Sequence, residues 1–190
     1  MSLRLSLTVL ASALFLAACD SGAEGDAQQQ EQLGKAKPEL TGEIDRSFAG
    51  ELMPAITVKD PDGKELNLAA LKGQPVLLNL WATWCAPCVV EMPMLDELAA
   101  VKDGELRVVT VSQDMRGAEA VVPFFADRKF ARLEPWLDPA NDLAAAYGGG
   151  GVMPLTVLYD AEGQELFRVA GGYHWDSEDA LAAIEEAIAR

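Results

Sequence analysis

Two cysteines separated by two residues are the groups in this chain best suited to chemistry. Cys85 and Cys88 follow the short apolar run Val76–Leu80, which predicts a buried strand. From residue 85 to residue 100, apolar side chains recur at helical spacing, which predicts a helix. Residues three apart lie on one side of a helix, so the two thiols can close a disulfide at its N-terminus. The positive end of the helix dipole favours a thiolate on Cys85, and this arrangement predicts a redox site.

Three other uses of the cysteine pair fit the sequence less well. A structural zinc site needs four ligands, and the remaining candidates are Cys19, near the N-terminus, and the single histidine, His174. A purely structural disulfide rarely spans so few residues. A peroxidase of the peroxiredoxin kind has Thr three residues before its attacking Cys, where this chain has Ala82. A redox disulfide remains the best prediction.

The sequence around the pair resembles the thioredoxin superfamily, and within it the TlpA-like and ResA-like disulfide reductases of the bacterial cell envelope. The segment Trp84-Cys85-Ala86-Pro87-Cys88 has the W-C-x-P-C form of that family, and Pro93 stands where the superfamily places a proline in the active-site helix. The resemblance covers residues 46–190. It implies an α/β, thioredoxin-like fold, in which helices flank a mixed β-sheet, and it implies no cofactor and no bound metal.

The order of the other predicted elements agrees with that fold. Residues 55–59 and 65–68 flank a turn at Asp60–Gly63, so they predict a hairpin extension ahead of the main sheet. Further along the chain, strands are predicted at 106–112, 135–137, 155–160 and 164–170, and helices at 117–129, 141–147 and 177–189. Pro123 is expected to interrupt or kink the first of these helices, and Ser177 is expected to cap the last.

The resemblance adds residues on either side of the cysteines. Pro154 stands where the superfamily has a cis-proline beside the disulfide, and Met153 before it is then expected to face the substrate. A trans proline at the start of a strand is the alternative. Trp84 is expected to shape the surface that receives the substrate, and Trp81 to pack in the core. The glycines at 148–151 make this loop one residue longer than expected from the family.

Glu91 follows Cys88 by three residues and matches an acidic residue that the TlpA-like and ResA-like reductases place near their thiols. A carboxylate there could relay the proton of Cys88, and its charge would raise the thiol pKa. The alternative is a solvated glutamate on the helix surface. Many thioredoxins have a buried aspartate where this chain has Asn79, which cannot titrate, so Glu91 is the expected proton carrier.

Composition and charge indicate one globular domain and an acidic surface. Of the 190 residues, half are hydrophobic, and 30 acidic against 15 basic residues give a net charge of −15. The basic residues form no cluster in the sequence, which argues against nucleic-acid binding.

The N-terminus predicts export and a lipid anchor. Residues 1–18 have the form of a signal peptide, and Leu16-Ala17-Ala18-Cys19 resembles a bacterial lipobox, which implies acylation of Cys19. An ordinary cleaved signal peptide with a chance cysteine is the alternative. Residues 19–45 predict a flexible acidic, Gln-rich tether, and residues 46–190 the thioredoxin-like domain. Asp20 resembles an inner-membrane retention signal, which favours the periplasmic face of the inner membrane.

Two functions follow from these residues. Ala86 and Pro87 carry no positive charge that would stabilise a thiolate strongly, which favours a disulfide reductase over an oxidant. The resemblance implies a membrane thiol-transfer protein of the DsbD or CcdA kind as electron donor, and apo-cytochrome c or copper-site proteins as acceptors. The alternative is a Sco-like copper metallochaperone that binds the metal through Cys85, Cys88 and His174.

Overall fold

The computed structural model describes residues 39–149 and 151–189, which contain eight β-strands and four α-helices. The strands are β1 Glu43–Asp45, β2 Thr57–Lys59, β3 Glu65–Asn67, β4 Val76–Trp81, β5 Arg107–Ser112, β6 Trp136–Leu137, β7 Leu155–Tyr159 and β8 Glu165–Ala170. The helices are α1 Ala86–Val101, α2 Ala118–Arg128, α3 Asp142–Ala146 and α4 Glu178–Ile188, and a short 3-10 helix spans Leu68–Ala70.

The strands form one mixed sheet in the order β1-β8-β7-β4-β5-β6-β2-β3. The central strand β4 runs parallel to β5 and antiparallel to β7, and all six of its residues are buried. The predicted inner strand is therefore confirmed. The register places Asn79 of β4 between Thr110 of β5 and Thr156 of β7. Helix α1 follows β4 directly, so the end of this strand sets the position of the cysteines.

Each face of the sheet carries its own hydrophobic core. One core contains residues of α1, α2 and α4, including Met92, Val121 and Ile184, together with both cysteines. The other contains Leu68 of the 3-10 helix and Leu143 of α3. Each fully buried apolar side chain of this size contributes about 1.5–3 kcal/mol. These two layers confirm the thioredoxin-like α/β architecture expected from the sequence.

The predicted hairpin extension is confirmed, and it is continuous with the sheet. Strands β2 and β3 are antiparallel, and β2 also pairs with β6 through Lys59 and Leu137. Asp60 shapes the turn between β2 and β3, because its Oδ1 accepts hydrogen bonds from the backbone N–H groups of Asp62 and Lys64 at 2.9 Å each. The hairpin thus lengthens one edge of the sheet.

Strand β1 shows that the predicted boundary between tether and domain, at residue 45, is wrong. Glu43, Ile44 and Asp45 pair with β8 at the opposite edge of the sheet. Ile44 packs against the first core, whereas its two acidic neighbours are exposed. A charged segment can pair in this way because successive side chains of a strand point to opposite faces, so that only Ile44 faces the core. The predicted signal peptide, Cys19 and most of the tether lie outside the described residues.

The predicted helices and the C-terminal hairpin are confirmed within one or two residues. Helix α2 continues through Pro123, which is exposed, because Val121 and the neighbouring phenylalanines pack in the core. Ser177 caps α4 by accepting a hydrogen bond from the N–H of Ala180 at 3.1 Å. Within the described parts of the chain, we find no helix that is long and apolar enough to span a membrane.

Candidate active site

The two cysteines form a disulfide at the start of α1, as predicted. Cys85 is the N-cap residue, and its Sγ accepts a hydrogen bond from the backbone N–H of Cys88 at 3.3 Å. Pro87 lies in the first turn, where a helix does not need the N–H that proline lacks. The positive end of the helix dipole lies at Cys85, so the helix N-terminus favours negative charge on its sulfur.

The two sulfurs differ in accessibility. Cys85 is 5% exposed, and Cys88 is fully buried behind it. Cys85 is therefore less exposed than its place at the helix end predicts, yet it is the sulfur that a partner can reach. Trp84, which precedes it, is 69% exposed and available for contact with a partner.

Glu91 lies inside the protein, one turn along α1 from Cys88. Its side chain is fully buried, so the alternative of a solvated surface glutamate is wrong. The carboxylate accepts hydrogen bonds from Asn79 Nδ2 at 2.8 Å, Tyr173 N at 3.1 Å and Trp175 Nε1 at 3.3 Å. Burial raises the pKa of Glu91 to about 7, and the three hydrogen bonds oppose that shift. The group can therefore take up and release a proton near neutral pH.

Asn79 connects Glu91 to the sheet. Its Nδ2 donates to Glu91 and, at 2.9 Å, to Thr156 Oγ1, while its own Oδ1 is buried without a hydrogen-bond partner. Rotation of the amide would turn Oδ1 toward Glu91, where it can accept the proton of the neutral acid. Asn79 can thus bond both protonation states of the carboxyl group. From the sequence alone, Asn79 was identified only as a residue that cannot titrate, and its hydrogen bonds to Glu91 and Thr156 were not predicted.

Asp114 is a site residue that the sequence analysis missed. Its carboxylate accepts hydrogen bonds from Thr83 N at 2.9 Å, Thr83 Oγ1 at 2.8 Å and Ser112 Oγ at 2.7 Å. These bonds hold the loop between β4 and the cysteines. The place of Asp114 just after a predicted strand could have identified it. Because β4 and β5 are parallel, the residues that follow these two strands meet at one edge of the sheet.

Pro154 and Met153 lie at the start of β7, and the peptide bond between them is cis, as predicted. Pro154 is buried, and its carbonyl accepts a hydrogen bond from Gly171 N at 2.8 Å. Met153 is half-buried and packs against the first core. Its contact with a substrate stays a prediction. Gly148 and Gly149 in the preceding loop have positive φ angles of 99° and 63°, which glycine adopts without strain.

The ligand set of the copper alternative does not come together in the structure. His174 is exposed in the loop after β8, where its Nδ1 lies 3.9 Å from Asp176 Oδ1. Over residues 39–149 and 151–189, no three His, Cys, Asp or Glu side chains are grouped so as to hold a metal ion. Trp81, by contrast, packs in the core as predicted, against Phe124 with a ring-centroid distance of 5.0 Å.

Comparison with known proteins identifies the family. The Redoxin family model matches residues 48–184, well over half of the chain. The chain belongs to the Redoxin family. The thiol-disulfide oxidoreductase ResA of Bacillus thuringiensis (strain Al Hakam) is 32% identical over 122 residues, which cover 64% of this chain and 69% of that protein. This redoxin is a ResA-like thiol:disulfide oxidoreductase of the thioredoxin superfamily.

Solved structures agree with this family. DsbE, a thiol:disulfide interchange protein from Chlorobium tepidum, has a TM-score of 0.64 and 26% identity, over 74% of this chain and 97% of that one. The exposed lipoprotein thioredoxin Etrx1 from Streptococcus pneumoniae strain TIGR4 has a TM-score of 0.57 and 27% identity, over 69% of this redoxin and 98% of that chain. The Redoxin match includes Cys85, Cys88, Glu91 and Pro154, whereas Cys19 lies outside it.

Proposed function

We propose that this redoxin is a disulfide reductase of the bacterial cell envelope that acts on protein substrates through Cys85 and Cys88. The observation that carries the proposal is the buried Glu91 on the same helix as a disulfide whose intervening residues are uncharged. A carboxylate near the thiols disfavours the thiolate form, so the dithiol is stabilised less than in strong disulfide oxidants. Such a pair gives up its electrons readily.

The exposure of the two sulfurs gives the order of the thiol exchange. The Cys85 thiolate attacks one sulfur of the partner's disulfide, forming a mixed disulfide and releasing the other partner sulfur as a thiolate. Cys88 then attacks Cys85 Sγ, which breaks the mixed disulfide and releases the second partner sulfur as a thiolate. The partner has gained two electrons, its two thiolates take up protons from solvent, and Cys85–Cys88 has become the disulfide seen in the structure.

Glu91 serves the second step of this exchange. Cys88 is fully buried, so its thiol needs a nearby base to lose its proton before it attacks. Glu91 lies one turn further along α1, and its pKa of about 7 suits a group that accepts a proton at neutral pH. Trp84 and Met153 contact the bound partner on either side of the disulfide in this proposal, and Pro154 presents the backbone beside it.

The partners and the cellular location follow from the same proposal. A membrane thiol-transfer protein returns electrons to the Cys85–Cys88 disulfide, and the acceptors are apo-cytochrome c or copper-site proteins. Acylation of Cys19 holds the protein at the periplasmic face of the inner membrane. The lipobox-like residues before Cys19 support the anchor, as does the similarity to a pneumococcal protein that is named an exposed lipoprotein.

Trapping the mixed disulfide tests this function. Cys88→Ser removes the resolving sulfur, so we expect covalent partner adducts to accumulate on Cys85 in the native envelope and to disappear on reduction. Cys85→Ser, which keeps the buried sulfur, is the matched control and should trap far less. Recovery of cytochrome or copper-site proteins and a membrane donor would support the proposal. An absence of adducts, with tight Cu(I) binding that requires His174, would favour the copper metallochaperone instead.

A further inference from the structure

We infer that residues 40–42, which we call the N-terminal strap, are part of the active site and position Glu91 through the loop Gly171–Tyr173. The inference rests on the proposed function and adds Leu40 to that site as a positioning residue. The strap lies just before β1, in the segment that the sequence analysis assigned to the tether. Three contacts of the loop lead from the strap to the Glu91 carboxylate.

The loop Gly171–Tyr173 is attached at both ends to residues of the site. The backbone N–H of Gly171 donates to the carbonyl of Pro154 at 2.8 Å. The backbone N–H of Tyr173 donates to Glu91 Oε2 at 3.1 Å, and Trp175 Nε1 donates to the same oxygen at 3.3 Å. The loop therefore supplies one of the three hydrogen bonds that Glu91 accepts, and Trp175, two residues beyond the loop, supplies a second.

The strap lies directly against the middle of the loop. The backbone N–H of Gly42 donates to the carbonyl of Gly172 at 2.9 Å. A Cβ atom on Gly172 would overlap the Cδ2 methyl group of Leu40 and lie 3.2 Å from Pro87 Cβ, while one on Gly42 would lie 2.8 Å from Gly171 O. The close contact at Gly42 is with a backbone atom, so glycine is required there, whereas a methyl group on Gly172 would displace the Leu40 side chain. Leu40 thus packs beside Pro87, the proline between the two cysteines.

The packing of the strap against the loop affects the burial of the Glu91 carboxyl group. The groups that donate to its carboxylate, Asn79 Nδ2, the backbone N–H of Tyr173 and Trp175 Nε1, are uncharged, and Cys88, one turn earlier on α1, is a thiol in the reduced protein. Burial is the main cause of the raised pKa of Glu91. Loss of the strap frees the loop and admits water to the carboxylate, so the pKa of Glu91 falls toward its ordinary value.

The first test removes the Leu40 side chain. In the reduced full-length protein, the rate of Cys85 alkylation against pH should contain a step that is due to Glu91 and absent from Glu91→Gln. We expect Leu40→Ala to lower the pH midpoint of this step by about half a unit or more, since solvation of a carboxylate favours its charged form. Leu52→Ala, at a leucine that is 73% exposed and outside the loop, is the matched control and should leave the midpoint unchanged.

The second test asks whether Leu40 acts through Gly172. Gly172→Ala should displace the strap and give the same downward shift as Leu40→Ala. The double variant should shift no further than either single variant, because both remove one contact. Shifts that add would mean that the new methyl group acts elsewhere, and would overturn the inference. If Gly172→Ala does not fold, the comparison of Leu40→Ala with Leu52→Ala is sufficient to test the inference. Leu40→Ala should fold, because Leu40 belongs to neither core cluster.

The outcomes separate this inference from the proposed function. If the wild-type protein reduces protein disulfides while Leu40→Ala keeps the wild-type pH midpoint, the strap has no positioning role and the inference fails by itself. If the wild-type protein reduces none, the proposed function fails. A merely structural role for Leu40 would lower the melting temperature without moving the pH midpoint, and that result would also overturn the inference.

Discussion

The buried carboxyl group of Glu91 connects three elements of the site. Glu91 is on the helix that carries the cysteines, and it is bonded to β4 through Asn79 and to the loop before α4 through Tyr173 and Trp175. Its hydrogen-bond donors favour the charged form, and its burial favours the neutral form more strongly. Glu91 therefore changes charge near pH 7 and makes the site sensitive to pH.

Replacing Glu91 with Gln should change how stability depends on pH. Because the pKa of Glu91 is raised on folding, the folded state binds this proton more tightly than the unfolded state does. The contribution of Glu91 to the free energy of unfolding should therefore be largest below about pH 4.5 and be lost as the pH rises through about 7, a decrease of about 3 kcal/mol from this group. Urea unfolding of the oxidised protein between pH 4 and 8 would show the decrease in wild type but not in Glu91→Gln.

The glutamine variant should fold, because its Nε2 can donate to Asn79 Oδ1 after rotation of the Asn79 amide. In the reduced variant, the pKa of Cys85 should fall, since the repulsion between the thiolate and the Glu91 carboxylate is removed. Alkylation rates against pH measure that change. An unfolding profile and a thiol pKa both equal to those of wild type would contradict the assignment of Glu91 as a coupled group.

Among the elements, helix α1 both presents the cysteines and holds a distant loop. Asp96 lies in the second half of this helix. It is half-buried, and its carboxylate accepts hydrogen bonds from three consecutive backbone N–H groups, those of Ala131, Arg132 and Leu133, at 3.0, 2.8 and 3.0 Å. This loop leads from α2 into β6. Asp96 therefore attaches α1 to the chain that forms the far side of the sheet.

Removing the Asp96 carboxylate should cost stability without altering the thiols. Asp96→Ala leaves three backbone donors without this acceptor, and we expect a loss of about 1–2 kcal/mol, because the site is partly open to water that can replace it. Glu97→Ala, at the exposed neighbouring carboxylate, is the matched control and should change stability by less than about 0.5 kcal/mol. Equal losses in the two variants, measured by urea unfolding, would rule out the anchoring role.

The molecule as a whole combines an acidic surface with a predicted anchor. The chain has 15 basic and 30 acidic residues, and removal of residues 1–18 would take away one basic residue, Arg4, to give 14 against 30 and a net charge of −16. That charge keeps the domain from associating with anionic surfaces. Retention at a membrane then depends on the lipid on Cys19 in our proposal.

Fractionation tests the anchor directly. We expect the wild-type protein in the membrane fraction and Cys19→Ala in the soluble envelope fraction, because the variant lacks the acylated residue. Cys85→Ala, which removes a cysteine of the redox pair instead, should stay with the membrane. If wild type and Cys19→Ala distribute equally, the alternative of an ordinary cleaved signal peptide is correct.

Local patterns in the sequence were sufficient for most of the elements and for the reacting sulfurs. The apolar run of β4, the helical spacing of α1 and the turn residues of both hairpins each depend on neighbours within a few positions, so they can be read without the fold. Cys85, Cys88 and Pro154 stand at the ends of such elements, and a family resemblance at those positions was enough to predict the disulfide and the cis peptide bond.

Tertiary structure decided what surrounds those sulfurs. The burial of Glu91, and with it a pKa of about 7, depends on Tyr173 and Trp175, which are more than 80 residues away in the chain. Strand β1 forms because β8 offers a free edge, and Asp114 matters because two parallel strands end side by side. Periodicity is a local property, whereas burial, hydrogen-bond partners and pKa values depend on which distant residues the sheet brings together.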